Sequence, residues 1–193
     1  KGTTGEVALF SMNENSNRIK DHAKKDGLAC VYENGFVTLL KGNWKVRVAE
    51  AKNIPITFGG RAEFNIQNVM GAILAAYTNG IKASEIRKAL LSFEPGADTT
   101  PGRMNIFEFK DFKVMCDYAH NAHGMRAIKG FLEKTEANKK IGIIAGVGDR
   151  RDEDTIELGE VAGEMFDEII IRQDKNLRGR TAEEIMDLLK KGI

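Results

Sequence analysis

The sequence predicts an α/β fold, because segments with strand patterns and segments with helix patterns alternate along the chain. The alternation is clearest in the second half, where a continuous apolar run at residues 141–145 is typical of a parallel strand buried on both faces. Strands joined by crossover helices favour a Rossmann-like, mostly parallel sheet. The strands of this half are expected at residues 105–109, 113–118, 141–147 and 168–172, and its helices at 124–136, 154–166 and 181–191.

The first half begins with an apolar run at residues 7–13, which predicts a strand, and a polar helix at 15–25. Short apolar segments then follow one another as far as residue 57. They are broken by Asn34-Gly35 and Gly42-Asn43, and Asn-Gly between two such segments is a strong hairpin signal.

Two helices are expected to close the first half. Apolar residues between 66 and 77 recur every three or four positions, and the next helix is expected at 83–93 with Ser84 as its N-cap. Residues 96–102 then gather Gly, Pro, Asp and Thr without apolar periodicity, which is the composition of a linker. We therefore expect one domain at residues 1–98 and another at 99–193.

Composition excludes several classes of partner. The 29 Lys and Arg residues balance 28 Asp and Glu residues, so no global field favours nucleic acid or anionic lipid. No apolar run approaches the roughly 20 residues that span a bilayer. Cys30 and Cys116 form no CxxC pair, which predicts two buried thiols and a cytoplasmic location. The opening Lys1-Gly2-Thr3 lacks Met, and we expect a piece of a longer polypeptide.

Polar residues follow the strand patterns of the second half, where open α/β sheets bind ligands. Asp117, His120 and Asn121 could hydrogen-bond a ribose or a base. Alternatively, Asp117 and Asn121 cap the next helix and His120 is a surface histidine. A metal site that adds His123 is less favoured, because no further ligand cluster accompanies it.

A glycine turn at residues 146–152 follows the next strand. It lacks the third glycine of a dinucleotide fingerprint and the Lys-Ser or Lys-Thr of a phosphate-binding loop. Its Arg150 and Arg151 could hold a substrate carboxylate or reach across a cleft. A tight turn with solvated charges is the alternative.

A basic loop at residues 172–180 follows the last strand. Its guanidinium groups could bind a substrate carboxylate in bidentate fashion, and a solvated basic loop is the alternative. The candidate substrate-binding residues of this loop are Arg172, Asp174, Arg178 and Arg180.

Several motifs together resemble those of the Mur ligase superfamily. Within it, the combination of residues 146–154 with residues 174–180 looks most like the cyanophycin synthetase family. The other matching segments are Phe64-Asn65-Ile66-Gln67-Asn68, Pro101-Gly102-Arg103 and Asp117-Tyr118-Ala119-His120-Asn121.

The resemblance implies a ligase that phosphorylates a carboxylate with ATP and lets an amine attack the acyl phosphate. In the cyanophycin synthetase family the carboxylate is an aspartate side chain of an aspartate–arginine polymer, and the amine is that of arginine. It also implies the tail of a Mur ligase central domain before the C-terminal domain, and Mg²⁺ held mainly upstream. By position, Asn68 would face the adenine, Arg103 the nucleotide, and Asp117, His120 and Asn121 the ribose, while residues 172–180 would lie near the incoming amino acid.

The sequence departs from the family pattern at three positions. Ala122 replaces the proline usual after His-Asn, His123 is unexpected, and Phe64 stands where many Mur ligases have histidine. The pattern Gly-x4-Gly-Lys-Ser/Thr is absent, so we expect these 193 residues alone to be inactive. A folylpolyglutamate or poly-γ-glutamate ligase, a non-catalytic nucleotide-binding module and a homo-oligomer remain open.

Overall fold

A computed structural model describes residues 5–174 and 177–193, which form two compact units that part between Thr100 and Pro101. The opening Lys1-Gly2-Thr3, and Lys175 and Asn176 of the basic loop, lie outside the described residues. Within the described ranges, no helix combines the length and apolar character that crossing a membrane requires.

The first unit is built on a four-stranded sheet in the order β1-β2-β3-β4. Its first two strands are parallel, with helix α1 (Asn17–Lys24) between them, and the other pairs are antiparallel. The hairpin predicted at Asn34-Gly35 is present, and both residues take positive φ values, of 47° and 83°, which Asn and Gly tolerate best. The strands are β1 (Leu9–Ser11), β2 (Ala29–Glu33), β3 (Phe36–Lys41) and β4 (Trp44–Glu50).

Helices α2 (Glu63–Thr78) and α3 (Ala83–Ser92) complete the first unit. The apolar stripe of α2 is buried in the main core, as its periodicity predicts. The prediction of Ser84 as the N-cap of α3 is wrong. The helix begins at Ala83 as expected, but its N-cap is Lys82, two residues before Ser84, and Ser84 lies inside the first turn.

The second unit alternates strands and helices, which confirms the α/β fold class. Helix α5 joins two parallel strands, β7 and β8. Strands β5 and β6 pair antiparallel, because the four residues between them are too few for a crossover helix. The elements are β5 (Asn105–Glu108), β6 (Lys113–Cys116), α4 (Ala122–Leu132), β7 (Ile141–Ile144), α5 (Asp152–Met165), β8 (Glu168–Ile171) and α6 (Ala182–Gly192).

The core of the second unit lies on one face of the β7–β8 pair. Ile144 and Ile171 point into the cluster formed by α4, α5 and α6. The expectation that residues 141–145 are buried on both faces is wrong, because Ile141 is 53% exposed, Ile143 68% and Ile170 53%. A run of apolar residues does not by itself tell how many helices cover a sheet.

The two cysteines differ in environment. Cys30 is fully buried in the first unit, and burial raises the pKa of its thiol to about 12. A hydrogen bond with the Thr38 backbone lowers that pKa, but its effect is smaller than that of burial. Cys116 ends β6 and is exposed, so the prediction of two buried thiols is wrong for this residue.

Candidate functional site

Two of the predicted site loops meet at one edge of the second unit. Because β7 and β8 are parallel, the loop from β7 to α5 and the loop from β8 to α6 leave the same end of the pair. The backbones approach so closely at Gly148 that a Cβ atom there would lie 1.8 Å from the carbonyl oxygen of Leu177. Glycine at position 148 therefore permits the two loops to touch.

Ion pairs join these loops across about thirty residues of sequence. Arg178 binds the carboxylate of Asp149 through its Nη1 atom. The Nη1 atom of Arg180 lies 2.7 Å from Asp152 Oδ1, and its Nη2 atom donates to the carbonyl oxygen of Arg150 at 3.1 Å. These two arginines, predicted to bind substrate, are thus engaged in holding the loops together.

Two further predicted arginines have carboxylate partners nearby in sequence. Arg151 makes a bidentate contact with Asp154, with Nε–Oδ2 and Nη2–Oδ1 distances of 3.0 and 2.7 Å. These hydrogen bonds hold the pKa of the Asp154 carboxyl below its ordinary value. Arg172 lies 3.6 Å from Asp174 within the basic loop, so the predicted substrate-binding Asp174 also has an internal partner.

Arg150 differs from the other four arginines of the two loops. Its side chain is exposed and makes no hydrogen bond or ion pair with any residue in the described part of the chain. Its backbone is engaged, since its amide donates to the Val147 carbonyl at 3.3 Å and its carbonyl accepts from Arg180. Its guanidinium donors are therefore available to a ligand at the place where the loops converge.

Asp117 braces the backbone beyond β6. Its Oδ2 atom accepts from the Met104 amide at 2.9 Å and its Oδ1 atom from the Ala119 amide at 2.8 Å. The alternative that Asp117 caps the following helix is therefore wrong. For Asn121 that alternative is correct, because its Oδ1 atom accepts from Gly124 at the start of α4 at 2.8 Å.

A cluster of three side chains, those of Arg103, Tyr118 and His120, adjoins Asp117. The Tyr118 amide donates to the Gly102 carbonyl at 2.8 Å, which brings Arg103 next to the strand end. The guanidinium of Arg103 lies 5.8 Å from the centre of the Tyr118 ring, and the His120 ring meets that ring edge-on at 5.6 Å. Tyr118 is 69% exposed, so one flat aromatic surface faces outward beside a cation.

Tyr118 was not among the residues selected from the sequence, although it lies in the middle of the Asp117–Asn121 motif. Tyrosine is intermediate between the mostly buried and the mostly exposed residue types, so its identity alone does not predict whether it contacts a ligand. Only its exposure marks it as a candidate contact for a ring.

The strand-end cluster and the basic loop share one hydrophobic core. Met115 and Ala119 pack against the same cluster as Leu177. Asn68, the remaining predicted nucleotide contact, lies in the first unit on the exposed side of α2, where its Nδ2 atom donates to Asn65 at 3.2 Å.

The described residues contain no group of three His, Cys, Asp or Glu side chains close enough to hold a metal ion. Asp117, His120 and His123 accordingly form no such group, and both Asp117 oxygens are used by backbone amides.

Comparison with known proteins identifies similar sequences. Residues 102–192 match the family described as Mur ligase, glutamate ligase domain. The whole chain is 45% identical over 193 residues to a cyanophycin synthetase of Geminocystis herdmanii. It is 46% identical over 187 residues, 97% of its length, to one of Synechocystis. The chain spans only 22% and 21% of these relatives.

Solved structures share the fold at lower identity. E. coli FolC in complex with DHPP and ADP gives a TM-score of 0.61 at 19% identity, covering 97% of this chain and 44% of that protein. MurF from Acinetobacter baumannii gives a TM-score of 0.59 at 18% identity, covering 97% and 41%. At such identities the likeness is evidence of fold alone.

Proposed function

This chain belongs to the Mur ligase family through its glutamate ligase domain, residues 102–192, and we propose that it is part of an ATP-dependent amide ligase of the cyanophycin synthetase type. In the proposed reaction an aspartate side-chain carboxylate attacks the γ-phosphate of ATP, giving an acyl phosphate and ADP. The amine of arginine then attacks the acyl carbon and releases phosphate. The similarity at 45% identity over the whole chain supports this substrate pair over a folate or poly-γ-glutamate ligase.

The observation that carries the proposal is the guanidinium of Arg150, which is unpaired among the described residues and lies between two loops whose other arginines are paired. A guanidinium binds a carboxylate through two parallel hydrogen bonds, and each charge-assisted bond contributes roughly 1.5–3 kcal/mol. We assign Arg150 to the α-carboxylate of the incoming amino acid. The arginines at 151, 172, 178 and 180 then act by fixing the loops rather than by contacting substrate.

On the nucleotide side, the flat exposed ring of Tyr118 suits a base or ribose, and the neighbouring Arg103 suits a phosphate oxygen. His120 would hydrogen-bond a ribose hydroxyl. Asp117 and Asn121 support this surface indirectly, since their oxygens hold backbone amides. We keep Asn68 as a contact for the adenine, contributed by the first unit.

The remaining parts of the site are proposed to come from the full-length protein, because the relatives are several times longer than this chain. They are the phosphate-binding loop and the residues that hold Mg²⁺. We also propose that residues 1–98 are the end of the central domain and residues 99–193 the C-terminal domain. The reaction would take place in the cytoplasm, where ATP is supplied.

The assignment of Arg150 is tested in the full-length protein by the Arg150→Gln variant. We expect its KM for arginine to rise about tenfold or more, the equivalent of one charge-assisted hydrogen bond, while kcat changes much less. Arg126→Gln is the matched control, because Arg126 is also exposed but pairs with Glu157 on α5. An unchanged KM for arginine in Arg150→Gln would contradict the assignment.

The reaction itself is tested by offering arginine, glutamate and lysine as acceptors. Turnover with glutamate only would point to the folate or poly-γ-glutamate class instead. Absence of ATP-dependent turnover with every acceptor would favour a non-catalytic binding module. Ligation by the 193 residues alone would contradict the division of the site described above.

A further inference from the structure

A second basic site lies in the first unit, and its lining includes none of the residues assigned to the ligase reaction. It is a groove between the edge strand β4 and helix α3, with a cavity volume of about 160 Å³. Its lining includes Phe36, Arg47, Glu50, Asn53, Arg87 and Leu91.

Two guanidinium groups, those of Arg47 and Arg87, line this groove without a carboxylate partner among the described residues. Arg47 lies over the ring of Phe36 at 5.0 Å, which orients its guanidinium, and Arg87 projects from α3. Within residues 5–174 and 177–193, neither side chain makes a hydrogen bond or an ion pair. Two like charges lining one small groove repel each other unless an anion lies between them.

The acidic residue of the groove does not supply that anion. Glu50 is engaged by Lys52, whose Nζ atom lies 2.8 Å from Oε1, and its Oε2 atom accepts from Asn53 Nδ2 at 3.1 Å. The negative charge of Glu50 is therefore balanced by Lys52. The positive charges of Arg47 and Arg87 are not neutralised by Glu50.

The size and lining of the groove limit its ligand. A water molecule takes about 30 Å³, so the cavity has room for a group of a few heavy atoms, whereas sites for drug-sized ligands measure about 300–1,000 Å³. The apolar atoms of Phe36 and Leu91 can contact a short carbon chain.

We propose that this groove binds a small oxyanion, the carboxylate or phosphate group of a small molecule, between the guanidinium groups of Arg47 and Arg87. Ten guanidinium N–H donors in two planar forks match the oxygens of either group. None of the residues that line this groove is among those proposed above to contact the nucleotide or arginine.

The proposal is tested by NMR on the ¹⁵N-labelled chain, following the Nε–Hε signals of its arginines during titrations with inorganic phosphate and with acetate at constant ionic strength. We expect saturable shifts of the Arg47 and Arg87 signals. Arg47→Gln and Arg87→Gln should each weaken the apparent affinity about tenfold, as expected for one lost charge-assisted hydrogen bond. Arg18→Gln is the control, because Arg18 is exposed on α1 and is likewise unpaired among the described residues.

Saturation with phosphate alone would identify a phosphorylated ligand, and saturation with acetate would identify a carboxylate. The proposal is overturned if neither anion saturates, if both glutamine variants keep the parental affinity, or if Arg18→Gln weakens binding as much as they do.

Discussion

The contact between the two site loops can be tested by adding a single methyl group at position 148. In Gly148→Ala the new Cβ atom would lie 1.8 Å from the carbonyl oxygen of Leu177 and 2.6 Å from its carbonyl carbon. Both are backbone atoms, so no side chain can rotate away, and the loops must separate by about 1 Å or more to restore ordinary contact. Overpacking of this kind costs about 1–3 kcal/mol.

The separation should affect function as well as stability. It would stretch the Arg178–Asp149 and Arg180–Asp152 ion pairs that join the loops and displace Arg150. A misplacement of 1 Å at a substrate-positioning group can reduce a reaction rate about a hundredfold. We therefore expect Gly148→Ala to lower kcat/KM for arginine in the full-length protein by one to two orders of magnitude.

Urea unfolding of the chain and initial rates of the full-length protein measure these effects. Gly130→Ala is the matched control, because Gly130 lies inside α4 with nothing within 4 Å of its added Cβ. Replacing this glycine should stabilise the helix by about 0.5–1 kcal/mol and leave the rate unchanged. A Gly148→Ala variant that kept both the parental stability and the parental rate would refute the tight loop contact.

Two further predictions concern the buried thiol and the cap of α4. Because burial raises the pKa of Cys30 to about 12 from 9.0, the folded chain keeps a proton that the unfolded chain loses. The free energy of unfolding should thus fall by up to about 1.4 kcal/mol per pH unit above pH 9. Urea unfolding at several pH values measures this slope, which should be smaller in the Cys30→Ala variant. Equal slopes in the two proteins would contradict the burial effect. The Asn121→Ala variant should lose about 1 kcal/mol of the free energy of unfolding, measured by thermal denaturation, because the cap of α4 is missing. The control variant Asn138→Ala, at an exposed residue, should lose none. Equal losses in the two variants would exclude the cap.

Local signals in the sequence identified most elements of the fold. The hairpin at Asn34-Gly35 follows from residues that tolerate positive φ, and α2 follows from its apolar period. Local signals do not fix the exact residue at which a helix begins, because the backbone of neighbouring residues decides where the first turn starts. Ser84 has the residue type of an N-cap, but Lys82 is the N-cap of α3.

The sequence also indicated where the candidate site lies, but not which of its polar residues are free to bind a ligand. Strand ends were correctly expected to carry the polar motifs, and the order of those motifs pointed to the family that the comparison then supported. It could not separate Asp117, whose oxygens hold two backbone amides, from a residue free to bind ligand. One of those amides belongs to Met104, thirteen residues away in sequence.

What the sequence determined by itself was the α/β class, the order of strands and helices, and the family, because periodicity, turn residues and motifs are properties of neighbouring residues. Only the tertiary structure decided that Arg178 and Arg180 pair with acids about thirty residues away, and that Ile143 faces outward. It also decided that Arg150 has no partner among residues 5–174 and 177–193. Ion pairing and burial depend on distances between segments remote in sequence, and folding alone fixes those distances.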